Sequence, residues 1–428
     1  MNTEILENMI SIQEAIKIIK ENLPERKIEE RAITESLGSY LAQDIMAPES
    51  LPRFNNSAMD GYAVALDFET PAKLPLTLPV IGESQAGIPY TDELQSGEAI
   101  QISTGAYVPE GTTLIVPVEE TNNGDSEVKI RNLGDQYAHI RFAGEEVAIG
   151  DTIARKYDHV TPPLLSWLAG FGIITVQIFR TPRVAILTTG EELTEIDAIL
   201  KPGQIRNTNQ VYLEALFELL RIKPVYTNRI PDSLTMTREI LTEASEMADI
   251  LILSGGVSVG PHDHVKDAAE SLGYNRQFWK VAQKPGKPLY FASRKENLLF
   301  GLPGNPVSTL ISTLVYIYPV LNYLQGNPLR ELYCIESHLN KEYKRKKTNR
   351  AQYLLVKVMG KSKEGFIVEP AGHQHSHMMS GVTAGDGFLV VPQHTKEMSP
   401  EMKQIVYLFP WSDFITACEN EGSLQWDA

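Results

Sequence analysis

A regular alternation of strand-like and helix-like segments begins at residue 183 and constrains the fold more than any other feature of the sequence. The segments read "RVAILTTG", "NQVYLEALFELL", "KPVYTNRI", "TREILTEASEMA", "DILILSGG" and "HVKDAAESLG". Short apolar runs separated by amphipathic helices are typical of βαβ units, whose strands are mostly parallel. We therefore predict an α/β domain with a mostly parallel sheet over residues 179–330.

The chain before this domain has a different character. Residues 9–23 have apolar positions at helical spacing and a capping box at Ser11 and Glu14. "TPPLLSWLAGFG" predicts a second helix, capped by Thr161. If the two helices pair, residues 1–48 and 143–178 form a discontinuous helical domain. The short β-like runs of residues 49–142, such as "AIQIST" and "TLIVPV", then form an inserted β domain.

The chain after residue 331 changes character again. The runs "YLLVKV", "GFIVEP" and "GFLVVP" alternate with a period of two, which predicts a small C-terminal β-barrel over residues 331–428. The apolar run "STLISTLVYIYPVLNYL" is interrupted by Pro319, so we predict a core helix there and not a membrane span. The predicted fold class is therefore multidomain α/β plus β.

Charge and cysteine content limit the partners and the compartment. The chain has 39 basic and 54 acidic residues and a net charge of -15, which argues against a nucleic acid or an anionic membrane as partner. A small phosphorylated ligand needs only a local group of lysines and stays possible. The two cysteines, Cys334 and Cys418, do not suggest a disulfide scaffold or a zinc knuckle. The N-terminus has neither a signal peptide nor a transit peptide pattern, so we predict a cytoplasmic protein.

Polar loops follow the strands of the α/β domain, where ligands bind in such sheets. Lysines there would neutralise phosphate or another oxyanion, and carboxylates would hold a hard cation such as Mg²⁺. The glycines of the third loop could form a phosphate cradle or only a tight turn, and this loop taken alone favours the turn. The loops are "TTGEEL" (188–193), "IPDS" (230–233), "SGGVSVGPHD" (254–263), "KPGKP" (284–288) and "GLPGNPVS" (301–308).

These loops, together with "PRFNNSAMDGYAV" (52–64) and "STGAYVPEG" (103–111), resemble the molybdopterin molybdenumtransferases, a family that includes the C-terminal part of gephyrin. The resemblance covers nearly the whole chain. It implies that adenylated molybdopterin is cleaved at its phosphoanhydride, that AMP leaves, and that molybdate is inserted between the two sulfurs of the pterin. It also implies a helical domain interrupted by a β domain, an α/β domain similar to molybdopterin adenylyltransferases, and a terminal β-barrel.

The resemblance assigns roles to individual positions. It places Glu192, Asp232 and Asp263 near the anhydride, as catalytic residues and Mg²⁺ ligands, with Asp263 the first choice of ligand. It makes Asp60 and Thr104 of the β domain catalytic as well. The positions that match the family's oxyanion and substrate site are Lys284, Lys287, Ser308, Arg350 and Ser376, with Lys280 on the same approach, and Ser254, Gly255, Gly256, Ser258, Gly260, Pro303 and Pro306.

Several of these residues also have a purely structural interpretation. Asp232 could cap the following helix, and Asp60 could form an Asx turn before Gly61. Pro303 and Pro306 need no chemistry, because they can shape a turn that points helix N–H groups at the oxyanion.

Histidines and two other positions depart from the family pattern. In "HQHSH", His373, His375 and His377 would share one face of a strand, and "PHDH" places two imidazoles around Asp263. Three converging imidazoles could bind zinc, but the family usually has a glycine in the first motif, so we favour surface histidines. Asn55 and Glu146 stand where aspartate is common, and Glu146 receives no role.

Three functions compete: the molybdenumtransferase, a molybdopterin adenylyltransferase, and a non-enzymatic molybdopterin-binding scaffold. The "SGG" loop alone suggests the second, which does not explain "AMDGY" or the lysine pair. A scaffold would not need the full set of charged loops. The resemblance implies a homodimer with a shared active site, and molybdopterin adenylyltransferase and molybdoenzymes as pathway partners. The choice between molybdate and tungstate, the physiological divalent cation and the recipient enzymes stay open.

Overall fold

The computed structural model describes residues 9–69, 72–257, 264–328, 331–363 and 365–415. Its contacts divide the chain into two units, Met1–Glu29 with Ile178–Ala428, and Glu30–Gln177. We refer to these as the first and the second unit and describe each by itself.

The regular elements are numbered in chain order within the described residues. The α-helices are α1 (Ile12–Glu21), α2 (Pro162–Gly170), α3 (Thr208–Leu219), α4 (Leu234–Met247), α5 (Val265–Ser271), α6 (Pro306–Ser312), α7 (Tyr318–Leu324) and α8 (Ser380–Thr383). The strands are β1 (Ile28–Ala32), β2 (Ile45–Met46), β3 (Asn56–Ser57), β4 (Gly61–Val64), β5 (Leu76–Ser84), β6 (Ala99–Ile102), β7 (Leu114–Pro117), β8 (Glu127–Ile130), β9 (Ile140–Arg141), β10 (Thr152–Ala154), β11 (Thr175–Phe179), β12 (Val184–Thr189), β13 (Leu193–Thr194), β14 (Ile205–Arg206), β15 (Tyr226–Ile230), β16 (Ile250–Ser254), β17 (Asn275–Trp279), β18 (Gln283–Lys284), β19 (Tyr290–Arg294), β20 (Asn297–Leu302), β21 (Cys334–Leu339), β22 (Tyr343–Lys344), β23 (Ala351–Ser362), β24 (Gly365–Pro370), β25 (Gly387–Val391), β26 (Glu397–Met398) and β27 (Gln404–Leu408).

The central sheet of the first unit has the strand order β15-β12-β16-β20-β19-β17. The first four strands are mutually parallel, and β19 is antiparallel to both of its neighbours. This confirms the predicted mostly parallel sheet. Because parallel strands end at the same edge of a sheet, Thr189, Ile230, Ser254 and Leu302 mark one common edge.

Alternate residues of these strands face opposite sides of the sheet, and each side is covered by helices. Ile186, Ile252 and Phe300 pack with apolar residues of α1, α3 and the helix that begins at Pro306. Leu187 and Leu253 face the other side, in a core that includes residues of α4 and α5. The burial of both faces explains why these strands read as continuous apolar runs in the sequence.

The two helices that the sequence suggests as partners in one helical domain lie in different units. Ala15 and Ile19 of α1 belong to the core of the first unit, whereas α2 lies in the second. Both begin at the predicted caps, since Ser11 accepts a hydrogen bond from the Glu14 amide and Thr161 accepts one from the Leu164 amide. The helical period predicts which face of α1 is buried, but it does not predict the surface that covers this face. The domain boundaries stay a prediction.

Residues 306–324 form a continuous apolar helix that passes through a π-helical turn at Thr313–Ile317. Its length and composition would suffice to cross a membrane, but 89% of its most apolar window is buried inside the first unit. It is the core helix that the sequence predicts.

A closed β-barrel forms the C-terminal part of the described chain. Strands β23, β24, β21, β27 and β25 pair in this order, and β25 pairs back to β23. The two-residue strand β18 joins the outside of this ring, parallel to the start of β23. The predicted small barrel is therefore present, and a segment from the α/β part of the chain is hydrogen-bonded to it.

The second unit contains a five-stranded sheet in the order β7-β4-β6-β5-β8. Tyr62 and Val64 contribute to a core on one side of it, and Ala63, Ile100 and Ile115 to a core on the other. Helix α2 packs near a smaller apolar cluster around Ala47, Val147 and Phe171. This unit is thus built mainly from strands, as the β-like runs of residues 49–142 predict.

Candidate active site

A cavity of about 780 Å³ lies at the carboxyl edge of the sheet in the first unit, and we call it the strand-end cavity. Its lining brings together predicted residues from four of the strand-end loops and from the barrel. These are Glu192, Ser254, Gly255, Gly256, Lys284, Lys287, Pro303, Pro306, Ser308, Arg350 and Ser376. The convergence that the strand ends predict is therefore found in this unit.

The first residues of the "SGG" loop are held by groups on neighbouring elements. Ser254 is 2% exposed, and its hydroxyl accepts a hydrogen bond from the Asn209 amide at 2.7 Å. The same amide donates to the Gly304 carbonyl at 2.8 Å, and the Gly255 N–H donates to the Leu302 carbonyl at 2.9 Å. Asn209 thus ties two strand-end loops together, and it was not among the predicted site residues. Ser258, Gly260 and Asp263 of the same loop lie outside the described residues.

Gly255 and Gly256 are required by the turn and also line the cavity. Their φ angles are +91° and +66°, and a Cβ on Gly255 would lie 2.5 Å from the Thr189 hydroxyl oxygen. The tight-turn interpretation is therefore correct for these two residues, whatever they bind. It does not exclude the cradle, because the same lack of a side chain leaves their backbone accessible from the cavity.

We expect Gly255→Ala to destabilise the first unit, because the new methyl group meets Thr189 in a strained backbone conformation. The expected loss in the free energy of unfolding is about 1–3 kcal/mol. Gly203→Ala is the matched control, since Gly203 has a φ of +84° and a Cβ added to it would meet nothing within 4 Å beyond its chain neighbours. Both variants introduce φ strain, but only Gly255→Ala adds a close steric contact. Thermal unfolding should therefore show a larger loss of stability for Gly255→Ala, and equal losses of stability would contradict the steric argument.

A group of cations surrounds Lys284 on the barrel side of the cavity. The guanidinium of Arg350 donates to the carbonyl of Gln283, the residue before Lys284, at 3.2 Å. Burial lowers the pKa of Lys284, and the charges of Arg350, Arg345 and Lys347 lower it further. The contribution of these three charges to the lowered pKa indicates a positive potential at Lys284, which suits an anionic ligand.

Arg345 holds the segment that leads to Arg350 and was not predicted. Its Nε donates to the Thr395 carbonyl at 2.8 Å, and its Nη1 donates to the Arg350 carbonyl at 2.9 Å. Its Nη2 donates to the Pro392 carbonyl. The basic run "YKRKKTNR" in an acidic chain is the only sequence signal that could have identified it.

The amides at the start of α6 are already hydrogen-bonded within the protein. The Val307 N–H donates to the Ser376 carbonyl, and the N–H groups of Ser308 and Thr309 donate to the Asn305 carbonyl. The expectation that Pro303 and Pro306 aim helix N–H groups at an oxyanion is therefore wrong for these three amides. The hydroxyls of Ser308 and Ser376 remain as neutral donors in the lining.

Two of the predicted carboxylates lie at a neighbouring cavity of about 300 Å³. Glu192 lines both cavities, and Asp232 lines the smaller one together with His264. Asp232 is not the helix cap, since α4 begins at Leu234 with Ser233 in the capping position. Oxygen donors of this kind suit a hard cation such as Mg²⁺. Within the described residues no group of three or more metal-binding side chains converges, and Asp263 lies outside them.

Lys280 is not among the residues that line the strand-end cavity. Its ammonium group lies 4.0 Å from the centroid of the Trp279 ring, and its carbonyl accepts a hydrogen bond from the Ile10 N–H. The central-sheet strand β17 ends at Trp279, and the next residue that lines the cavity is Lys284. The structure therefore does not bring Lys280 together with the other predicted cations.

The "HQHSH" segment is not a strand. Residues 371–379 are irregular, and the Met378 N–H donates to the His375 carbonyl in a turn. His375 and His377 line the strand-end cavity, whereas His373 does not. The prediction that the three imidazoles share one face of a strand is wrong, because the segment is irregular and turns from His375 to Met378.

In the second unit, Asp60 and Thr104 are in direct contact. The Thr104 N–H donates to the Asp60 carboxylate at 2.7 Å across 44 residues of sequence. This bond, together with one from the Thr104 side chain, lowers the pKa of Asp60. The Asp60 carboxylate thus accepts its hydrogen bond from an amide that is distant in sequence, whereas an Asx turn would use a neighbouring amide. Asn55 has a structural partner, since its side-chain oxygen accepts from the Ala143 N–H at 2.9 Å.

Three family models match consecutive parts of the chain. The MoeA N-terminal region (domain I and II) matches residues 10–172, the probable molybdopterin binding domain matches residues 185–323, and the MoeA C-terminal region (domain IV) matches residues 340–400. The molybdopterin molybdenumtransferase of Haemophilus influenzae is 35% identical over 91% of this chain and 96% of its own length. The chain belongs to the molybdopterin molybdenumtransferase family.

Other members of this transferase family support the same assignment. The Bacillus subtilis molybdopterin molybdenumtransferase is 31% identical over 90% of this chain and 91% of its own length. The crystal structure of a molybdopterin biosynthesis protein from Pyrococcus horikoshii has a TM-score of 0.81 and 26% identity, and the match covers 94% of this chain and 99% of that one. The fold expected from the resemblance is thus found in the solved structure of a molybdopterin biosynthesis protein.

Proposed function

We propose that this chain inserts molybdenum from molybdate into adenylated molybdopterin and releases AMP. The observation that carries the proposal is the strand-end cavity, which combines a cationic side with a glycine loop and a carboxylate. Family membership supports transfer of molybdenum to molybdopterin. The adenylated form of the substrate and the release of AMP go beyond that membership.

The cationic side supplies charge-assisted donors for the tetrahedral molybdate dianion. Lys284, Lys287 and Arg350 contribute positive charge, and the hydroxyls of Ser308 and Ser376 contribute neutral donors. Asn305 orients the Ser376 hydroxyl through a hydrogen bond of 3.2 Å. We assign the three cations and the two hydroxyls to the oxyanion.

The carboxylates serve the phosphoanhydride. In our proposal Glu192, Asp232 and Asp263 hold Mg²⁺, which would take up the negative charge that develops on the departing AMP phosphate. The first two line the same small cavity beside the "SGG" loop. Ser254, Gly255 and Gly256 hold the pterin substrate in this arrangement.

Asp60 and Thr104 complete the catalytic set. Because the Thr104 hydrogen bonds lower the pKa of Asp60, its carboxylate stays ionised at neutral pH, which favours the ligand role over that of a catalytic acid. We propose that the protein is a homodimer and that each active site takes Asp60 and Thr104 from one subunit and the strand-end cavity from the other. Molybdopterin adenylyltransferase would supply the substrate, and molybdoenzymes in the cytoplasm would receive the product.

The test is to supply adenylated molybdopterin, molybdate and Mg²⁺ to the purified protein and to measure AMP. We expect AMP release to depend on all three additions. An adenylyltransferase would instead consume ATP, and a scaffold would retain the pterin without turnover. AMP release that does not respond to molybdate would contradict the proposal.

A further inference from the structure

We propose that His375 and His377 donate hydrogen bonds to the oxyanion and make its affinity depend on pH. The inference rests on the proposed oxyanion site and adds two residues that the family resemblance does not assign. Both side chains line the strand-end cavity, on either side of Ser376. Their ring centroids are 5.8 Å apart, so the two imidazoles are neighbours within the lining.

The backbone that carries the two histidines is fixed from both sides. The Gln374 amide donates to the carbonyls of Leu355 and Ala371, and its oxygen accepts from the Leu355 N–H. Ser376 is bonded through its carbonyl to the Val307 N–H and through its hydroxyl to Asn305. Because the residues before and after His375 are anchored to the barrel and to the helix start, both imidazoles are presented by a fixed turn.

The charges that face the imidazoles favour an anion between them. Among the described residues, the other charged residues that line this cavity are Glu192, Arg206, Lys284, Lys287 and Arg350. Four of these five are cationic, so the described lining favours an anionic ligand, and a dianion bound there would favour a proton on a nearby imidazole. Molybdate binding should therefore be linked to proton uptake by the histidines.

Binding of molybdate alone to the full-length protein, measured by calorimetry between about pH 6 and about pH 8, tests this idea within the range where imidazole changes its charge. We expect the wild-type affinity to be at least about tenfold higher at the lower pH, since one charge-assisted hydrogen bond is worth about ten- to a hundredfold. His375→Gln with His377→Gln should remove this pH dependence, because glutamine keeps an N–H donor but cannot take up a proton.

His373→Gln is the matched control, because it removes an exposed imidazole of the same motif that does not line the cavity. This variant should keep the wild-type pH dependence. Equal pH dependence in the wild type and in the double variant would overturn the inference. Lys284→Met distinguishes an error in the histidine role from an error in the proposed oxyanion site. If Lys284→Met loses affinity for molybdate while the double histidine variant behaves like the wild type, the oxyanion site is supported and the histidine role is wrong.

Discussion

Replacement of Lys284 by methionine is expected to reduce the affinity for molybdate by about ten- to a hundredfold, which corresponds to about 1.5–3 kcal/mol for one charge-assisted contact. Methionine keeps the unbranched stem and removes the charge, so the change isolates the ammonium group. Lys284 is the residue on which the charges of Arg350, Arg345 and Lys347 act together. The measurement is the molybdate concentration dependence of AMP release, compared with the affinity for the pterin substrate.

The lowered pKa of Lys284 adds a second expectation. Because its folded-state pKa lies below the usual lysine value, the ammonium loses its proton at a lower pH than an exposed lysine, and molybdate affinity should fall as the pH rises toward that pKa. Lys284→Arg keeps its charge over the whole range and should extend binding to higher pH. Lys357→Met removes an exposed charge from the same barrel strand that β18 joins, and should have no effect. If AMP release by Lys284→Met depends on molybdate concentration in the same way as AMP release by Lys357→Met, Lys284 does not belong to the oxyanion site.

Two inactive variants, Asp60→Ala and Asp263→Ala, are expected to restore activity when they are expressed together. If each site takes its two halves from different subunits, a mixed dimer has one site with both lesions and one site with neither. Random assortment makes half of the dimers mixed, so about a quarter of the wild-type activity should return. The measurement is AMP release by the co-expressed protein, with mixed dimers verified through two different affinity tags.

The control for this experiment is the pair Asp60→Ala and Thr104→Ala. These residues contact each other within the second unit, so a mixed dimer has one lesion in each site and should stay inactive. Recovery in the first pair and not in the second supports the shared site. Mixed dimers of the first pair that release no AMP would place all of the site within one chain.

The sequence predicted the strand-end cavity because the direction of the strands alone determines that the loops after them meet at one edge of the sheet. Thr189, Ser254 and Leu302 end parallel neighbouring strands, so the loops that follow must meet. The sequence could not distinguish Lys280 from Lys284, which are four residues apart. Only the pairing of β18 with β23 brings the second of them to the cavity, and such a short strand has no recognisable pattern.

Other site residues depend on contacts that no local pattern predicts. Asn209 meets Ser254 across 45 residues, and Arg345 reaches the carbonyl of Thr395 across 50 residues. An asparagine at a helix start is usually explained by capping, and an arginine in a basic run by solvation. The histidine turn was missed for a related reason, since the strand-like spacing of "HQHSH" does not reveal that Gln374 and Ser376 are hydrogen-bonded to separate elements.

The pairing of β18 with the barrel divides the chemistry between two parts of the fold. Lys284, Arg350 and Ser376 owe their positions to the barrel and to segments attached to it, whereas Ser254 and Glu192 follow strands of the central sheet. Under the proposed roles, substitutions in the barrel would change which anion is preferred while the loops at the sheet keep their shape. Anion selectivity and pterin recognition would then diverge independently among relatives that share this fold.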